Sequence, residues 1–243
     1  MLQLTMLGGL SLESDNGYVA GAALRRRPLA LLALIASNHH GLTRDKVLAY
    51  LWPESDTAHA RNCLKQILYL LRRDTGQELF LSGTFNLRLD PRVVEVDRWK
   101  FEHAMDHGVL RSAVQEYRGA FLDGFYVGEL VEFERWVEAE RTRLANRYQA
   151  ALETLLAESD GNTVAALQWW RRLAEHDPLS SHITLGMIRA LVAVGNQAEA
   201  FKCAESHRRR LQEVFGAVPD TEEFLIIEEF WRACKSCGVL SPL

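Results

Sequence analysis

Thr43-Arg-Asp-Lys-Val-Leu-Ala-Tyr-Leu-Trp52, then Pro53, then Asp56-Thr-Ala-His-Ala-Arg-Asn-Cys-Leu-Lys-Gln-Ile-Leu-Tyr-Leu-Leu-Arg-Arg73, carries the sharpest structural signal in the chain. Thr43 is a capping residue before the first run and Pro53 stops it, which implies a short helix. Ser55 or Asp56 then caps a longer helix that runs to about Arg73 and closes at Thr75-Gly76. On that second helix Ala60, Leu64, Leu68 and Leu71 share one stripe, with Ile67 at its edge. The opposite side presents His59, Asn62, Gln66, Tyr69 and Arg73, and Arg61, Lys65 and Arg72 follow one flank. A short helix, a turn and a longer amphipathic helix make a helix-turn-helix.

Working outward, Pro28 suits a first helical turn, and Leu29 to Ser37 is apolar enough for a buried helix. It stops at His39-His40-Gly41, where the histidines read as a C-terminal cap. Arg25, Arg26 and Arg27 are expected to precede it. Further upstream, Leu2 to Leu7 and Leu10 to Glu13 alternate at period two around Gly8-Gly9, as two short strands do. Asn16-Gly17 signals a turn, and Tyr18 to Leu24 supplies an expected third strand. Downstream, Leu79 to Leu81, a Ser82-Gly83 turn and Phe85 to Asp90 read as a hairpin. Strands, three helices and a hairpin follow the order of a winged helix.

Past residue 100 the pattern is helical almost throughout, with a long amphipathic stretch from about Glu132 to Glu158. Gly161-Asn-Thr-Val-Ala-Ala166-Leu167 and Gly195-Asn-Gln-Ala-Glu-Ala200-Phe201 match as Gly-Asn-x-x-x-Ala-apolar at a spacing of 34 residues, the period of tetratricopeptide repeats. A weaker copy is Gly108 with Ala113 and Val114, displaced by an insertion around Gly119 to Gly128. Asp177-Pro178 ends the middle unit. The alanines are expected at close helix contacts. The fold class is therefore mainly α: an N-terminal winged helix-turn-helix with a small β-sheet and wing hairpin, then an all-α tetratricopeptide-like solenoid. The expected division is 1–96 and 97–243.

Composition narrows the function. The net charge is −4, but residues 1–100 balance at +3 and residues 101–243 at −7, which suits a nucleic-acid module joined to a protein-facing one. No run approaches the roughly 18 apolar residues of a membrane span and no signal peptide is visible, so a cytoplasmic chain with reduced cysteines is expected. Phosphate loops, dinucleotide fingerprints, nucleophile elbows and paired-histidine zinc helices are missing. Cys234-Lys-Ser-Cys237 is a lone Cys-x-x-Cys without the further ligands zinc needs or the βαβ setting of a redox motif. Neither catalysis, a cofactor nor a metal is expected.

The longer helix carries the chemistry. Asn62 and Gln66 match adenine bidentately, Arg61 and Arg73 suit guanine or phosphate, and Lys65 supplies phosphate attraction, with Tyr69 among them. Arg26, ahead of the first helix, is placed to touch the DNA backbone, and Thr84 and Asn86 of the hairpin complete the expected DNA-binding set. Arg208, Arg209 and Arg210 lie in the acidic half and read as structural, and the pairs Trp169-Trp170 and Phe125-Tyr126 read as helix packing.

Residues 29–73, together with Phe85-Asn-Leu-Arg-Leu-Asp90, Asp97-Arg-Trp-Lys-Phe-Glu102, Tyr117-Arg-Gly-Ala-Phe-Leu122 and Trp136 to Leu144, resemble in consistent order the SARP-like bacterial activators: an OmpR-type winged helix followed by a bacterial transcriptional activation domain. The resemblance implies binding of double-stranded promoter DNA at short direct repeats, as a homodimer, and contact with RNA polymerase or another protein through the helical repeats. It also sets Leu70 on the groove side, where the family often carries a basic residue, and counts Ile67 and Cys63 as apolar departures in the reading helix. The alternative is a protein-interaction adaptor whose winged helix no longer binds DNA.

Overall fold

Leu2 and Leu4 point inward from β1 (Leu2–Thr5), and Leu12 meets them from the antiparallel β2 (Ser11–Ser14), where Leu4 pairs with Leu12. Between them Gly8 (φ +96°) and Gly9 (φ +132°) take left-handed conformations. A Cβ on Gly8 would also sit about 3.1 Å from the backbone of Arg118, so glycine is needed there twice over. The expected third strand is shorter than the sequence suggested. Only β3 (Gly17–Tyr18) pairs with β2, and Ala22–Leu24 form a 3-10 turn whose Ala23 N–H donates to Asp74 at 3.0 Å. β4 (Val94–Val96) joins β1 in parallel, giving the order β3-β2-β1-β4.

The computed structural model describes residues 1–15, 17–19, 21–82, 85–159, 163–216 and 221–236. It divides into two units, Met1–Tyr148 and Gln149–Leu243. In the first, α1 (Arg26–Ala36) is buried from Pro28 to Ala36, as an almost wholly apolar helix must be. It starts earlier than its apolar run, so Arg25 is the N-cap and Arg26 and Arg27 lie in the first turn. The cap at its other end is Ser37, with the Asn38 amide donating to Leu34 O; His39 instead sits 3.4 Å from Glu102. α2 (Arg44–Leu51) and α3 (Thr57–Thr75) follow.

The wing is a narrow hairpin. Leu81 N–H donates to Arg88 O at 2.9 Å and Asp90 N–H to Leu79 O at 2.8 Å, while Leu87 also pairs with Leu42 ahead of α2. The first unit continues through α4 (Asp97–Asp106), α5 (Leu110–Glu116) and the start of α6 (Val131–Ala157). The Asp97 carboxylate accepts from the N–H groups of Met6 and Leu7 at 2.9 Å, and Trp99 Nε1–H donates to Ala36 O at 2.6 Å. The folded unit thus extends beyond the 96/97 division expected between modules.

The second unit holds α7 (Thr163–His176), α8 (Ser181–Ala193), α9 (Gln197–Phe215) and α10 (Glu222–Ser236). Here the repeat motif has a physical reading. Gly195 adopts φ +80° at the end of α8, and the Asn196 side chain accepts the Glu199 N–H to cap α9. The matching Gly161-Asn162 lies outside the described residues. Ala200 is fully buried in a cluster with Leu185, Ile188, Leu191, Ala204 and Ile227, as a close helix contact requires. Ala166 is only half-buried and lines a groove. The architecture is a winged helix-turn-helix followed by a helical-repeat array.

Candidate nucleic-acid interface

α3 is built to show one polar face. Asp56 caps it by accepting the N–H groups of Ala58 and His59 at 3.0 Å, and Gly76 ends it in the left-handed region at φ +67°. Ala60, Leu64, Ile67 and Leu71 are buried. Ile67, 7% exposed, belongs to the core stripe, while Leu68 is half-buried at its edge. The two swap the places the sequence suggested because the buried arc centres between Ala60 and Leu71, nearer Ile67 at about 100° per residue. Leu70 and Cys63 are also half-buried, on the flank between the core and the exposed face. Neither Leu70 nor Ile67 faces outward, which removes most of the apolar character expected of the reading face.

That face carries Arg61, Asn62, Lys65, Gln66, Tyr69 and Arg73, all exposed. Tyr69 is 63% exposed at its centre. The helix of 19 residues is about 28 Å long, so its first turns alone fill a major groove about 12 Å wide. Arg61, Asn62, Lys65 and Gln66 occupy those turns. Arg61 lies 3.5 Å from Asp45 of α2 across an exposed, easily exchanged contact. Arg73 is different: its Nε donates to Asp74 at 2.7 Å, and this hydrogen bond and charge hold its guanidinium above its ordinary range. Asp74 also accepts from Ala23, so Arg73 is drawn toward the structural end of the helix.

The remaining candidates separate. Arg26 is exposed in the first turn of α1, and neighbouring Arg27 stacks over Trp52 at 5.9 Å. Asn86 Nδ2 donates to His40 O at 3.1 Å and so braces the wing against the chain before α2. Thr84 lies outside the described residues. Arg44 and Lys46 in the first turn of α2 and Arg88 on the wing, cations outside the expected set, are also exposed near the motif. Arg88 was legible from alternation, because Leu87 and Leu89 on either side are buried. Phe85, 84% exposed, stands at the wing end.

Among the described residues no cluster of three or more His, Cys, Asp or Glu could hold a metal, and no helix is long and apolar enough to cross a membrane. The site has one chemical resource, a rigid polar and cationic helix face beside a short hairpin.

The comparisons with known proteins fit this architecture. Mycobacterium tuberculosis EmbR in complex with a low-affinity phosphopeptide superposes at a TM-score of 0.56 and 19% identity, which is a likeness of fold. The alignment covers 100% of this chain and 66% of that one, so the chain spans about two thirds of that protein's length. No curated protein sequence matches significantly. Residues 95–226, more than half of the chain, match the bacterial transcriptional activator domain from β4 through the repeats into α10. The helical part therefore has an assignment that rests on its own sequence, and the chain belongs to the bacterial transcriptional activator domain family.

Proposed function

We propose that the protein is a DNA-binding transcriptional activator of the OmpR-type winged-helix kind. α3 lies in the major groove of promoter DNA, and the helical repeats contact RNA polymerase or another protein. The observation that carries this reading is the division of α3, with Ala60, Leu64, Ile67 and Leu71 buried on one side and Arg61, Asn62, Lys65 and Gln66 exposed on the other. In a helix-turn-helix the N-terminal part of the second helix meets base edges while the first helix crosses the backbone. Asn62 and Gln66 then read bases, Arg61 and Lys65 hold phosphates, and Arg44 and Lys46 at the start of α2 add backbone contacts. Arg26, Tyr69, Arg73, Thr84 and Asn86 remain in the proposed set, with Arg73 and Asn86 in supporting positions because of their internal hydrogen bonds. The family match starting at residue 95 supports a module boundary near 96/97 even though the folded unit runs on to Tyr148.

A second reading keeps the fold and changes the partner. Tyr69 and Phe85 are large exposed aromatic groups on the surfaces assigned to DNA, and such groups also serve protein contacts. Selection of bound sequences from a random duplex pool separates the two. The activator enriches a direct repeat with half-sites about one helical turn, roughly 10–11 base pairs, apart. A pool that stays random after repeated rounds supports the adaptor.

A further inference from the structure

The groove lined by Ala166 has no role in the activator reading. It is a cavity of about 500 Å³ within the second unit, formed by the end of α6, α7 and α8. Its floor is Trp170, and α8 approaches that ring so closely that a Cβ on Gly186 would lie about 2.3 Å from it. Leu156, Ala166 and Ala190 form apolar walls, and the small alanines leave the space open. The polar edge is basic: Arg189 and His182 line it, with the His182 ring edge-on to Trp170 at 6.4 Å, and no described acidic side chain lines it.

Several arginines of the second unit are neutralised by carboxylates. Arg171, Arg208, Arg209 and Arg232 of the same unit are paired with Glu199, Glu228, Glu213 and Glu228. Among the described residues none forms an ion pair with Arg189, which is exposed at the groove. An accessible guanidinium over an aromatic floor, in an otherwise acidic half of the chain, complements an anion with an apolar body. The volume lies within the roughly 300–1,000 Å³ of small-molecule sites and is compact for a peptide track.

We propose that the helical-repeat unit binds a small amphipathic carboxylate in this groove, its carboxylate on Arg189 and its apolar body on Trp170. The site gives the regulator a chemical input independent of DNA.

The test uses the full chain and three probes of equal length, octanoate, octanol and octylammonium, followed by titration calorimetry and tryptophan fluorescence below their micellar concentrations. Octanoate should bind saturably at one site, octanol more weakly, and octylammonium not at all. Arg189→Gln, a change at an exposed position, should weaken octanoate roughly 10-fold or more and bring it level with octanol. Ala166→Leu should fill the groove and abolish binding of both at an unchanged melting temperature. Equal binding of all three probes, or none, overturns the proposal, as does undiminished octanoate affinity in either variant. Binding of an alternating leucine–glutamate peptide without octanoate would assign the groove to a protein segment and overturn it too. None of these outcomes depends on DNA binding, so the activator reading stands or falls separately.

Discussion

Buried Arg98 of α4 and half-buried Glu140 of α6 form an ion pair 2.6 Å long, joined by Glu102 and Arg143 into a square of alternating charge. Burial pushes the Glu102 carboxyl up, but the guanidinium groups of Arg98 and Arg143 outweigh it and hold it below its usual range. Arg98 also donates to Ser37 Oγ at 2.7 Å, at the end of α1. The end of α1 is thereby tied to α4 and α6, helices within the family match.

Removing Arg98 leaves two carboxylates facing each other with only Arg143 between them. Arg98→Ala should cost about 1–3 kcal/mol, less than the loss of an isolated buried partner because Arg143 still neutralises both carboxylates. Chemical denaturation of the full chain measures it. A loss below about 1 kcal/mol would mean that the square is solvated and that α4 is not bound to α1 through it.

If α3 enters the major groove as proposed, Asn62→Ala and Gln66→Ala should each cost about 1–3 kcal/mol on a selected site and relax base choice at one position. Lys65→Ala should weaken all duplexes alike. Binding measured on the selected site and on scrambled duplexes distinguishes the two patterns, and identical effects for all three variants would remove the division into base and phosphate contacts.

Much of this interface was readable before the structure because its causes are local. Asp56 and Gly76 bound α3 through capping and left-handed geometry, and Thr43 caps α2 by accepting from Lys46. What stayed hidden depends on distant residues. The short Val94–Val96 strand gains its place only by parallel pairing with β1, and the Asp97 carboxylate reaches back to Met6 and Leu7. Ile67 and Leu68 are adjacent leucine-like residues, and only the packed core decides which is inside. Likewise the repeat motif marked Ala166 and Ala200 as equivalents, whereas one lines a groove and the other is sealed.

Ala200 is 0% exposed. Ala200→Leu should therefore overpack the joint between α8, α9 and α10 and cost on the order of 1–3 kcal/mol. The loss should spread through the repeats without impairing DNA binding in vitro, while activation of a reporter promoter falls. Denaturation and binding on the same preparation check this, and equal loss of both activities would show that the two units fold as one.

His207 gives the second unit a pH dependence. It is buried, its Nε2 lies 3.0 Å from Ser181 Oγ, and its Nδ1 lies 3.1 Å from Thr184 Oγ1 and 3.3 Å from Pro178 O. Burial pulls its pKa down, with Arg210 adding to the effect and Pro178 and Asp177 opposing it. The folded state thus favours the neutral ring, so this stability is present above the unfolded value of about 6.5 and is lost as pH falls below it, by at most about 1.4 kcal/mol per pH unit. Melting temperature should fall with pH below about 6.5 in the wild type and fall less steeply in His207→Gln. Parallel slopes would remove His207 as the cause.

The salt dependence of binding shows whether the proposed winged helix holds DNA through its cationic face. Titration of the full chain with random-sequence duplex at increasing salt needs no knowledge of the operator. If roughly five phosphates are neutralised, log affinity should fall against log salt with a slope of about −4.5, or roughly 500-fold between 50 and 200 mM. No binding at low salt, or an affinity that does not change with salt, would contradict DNA binding through that face.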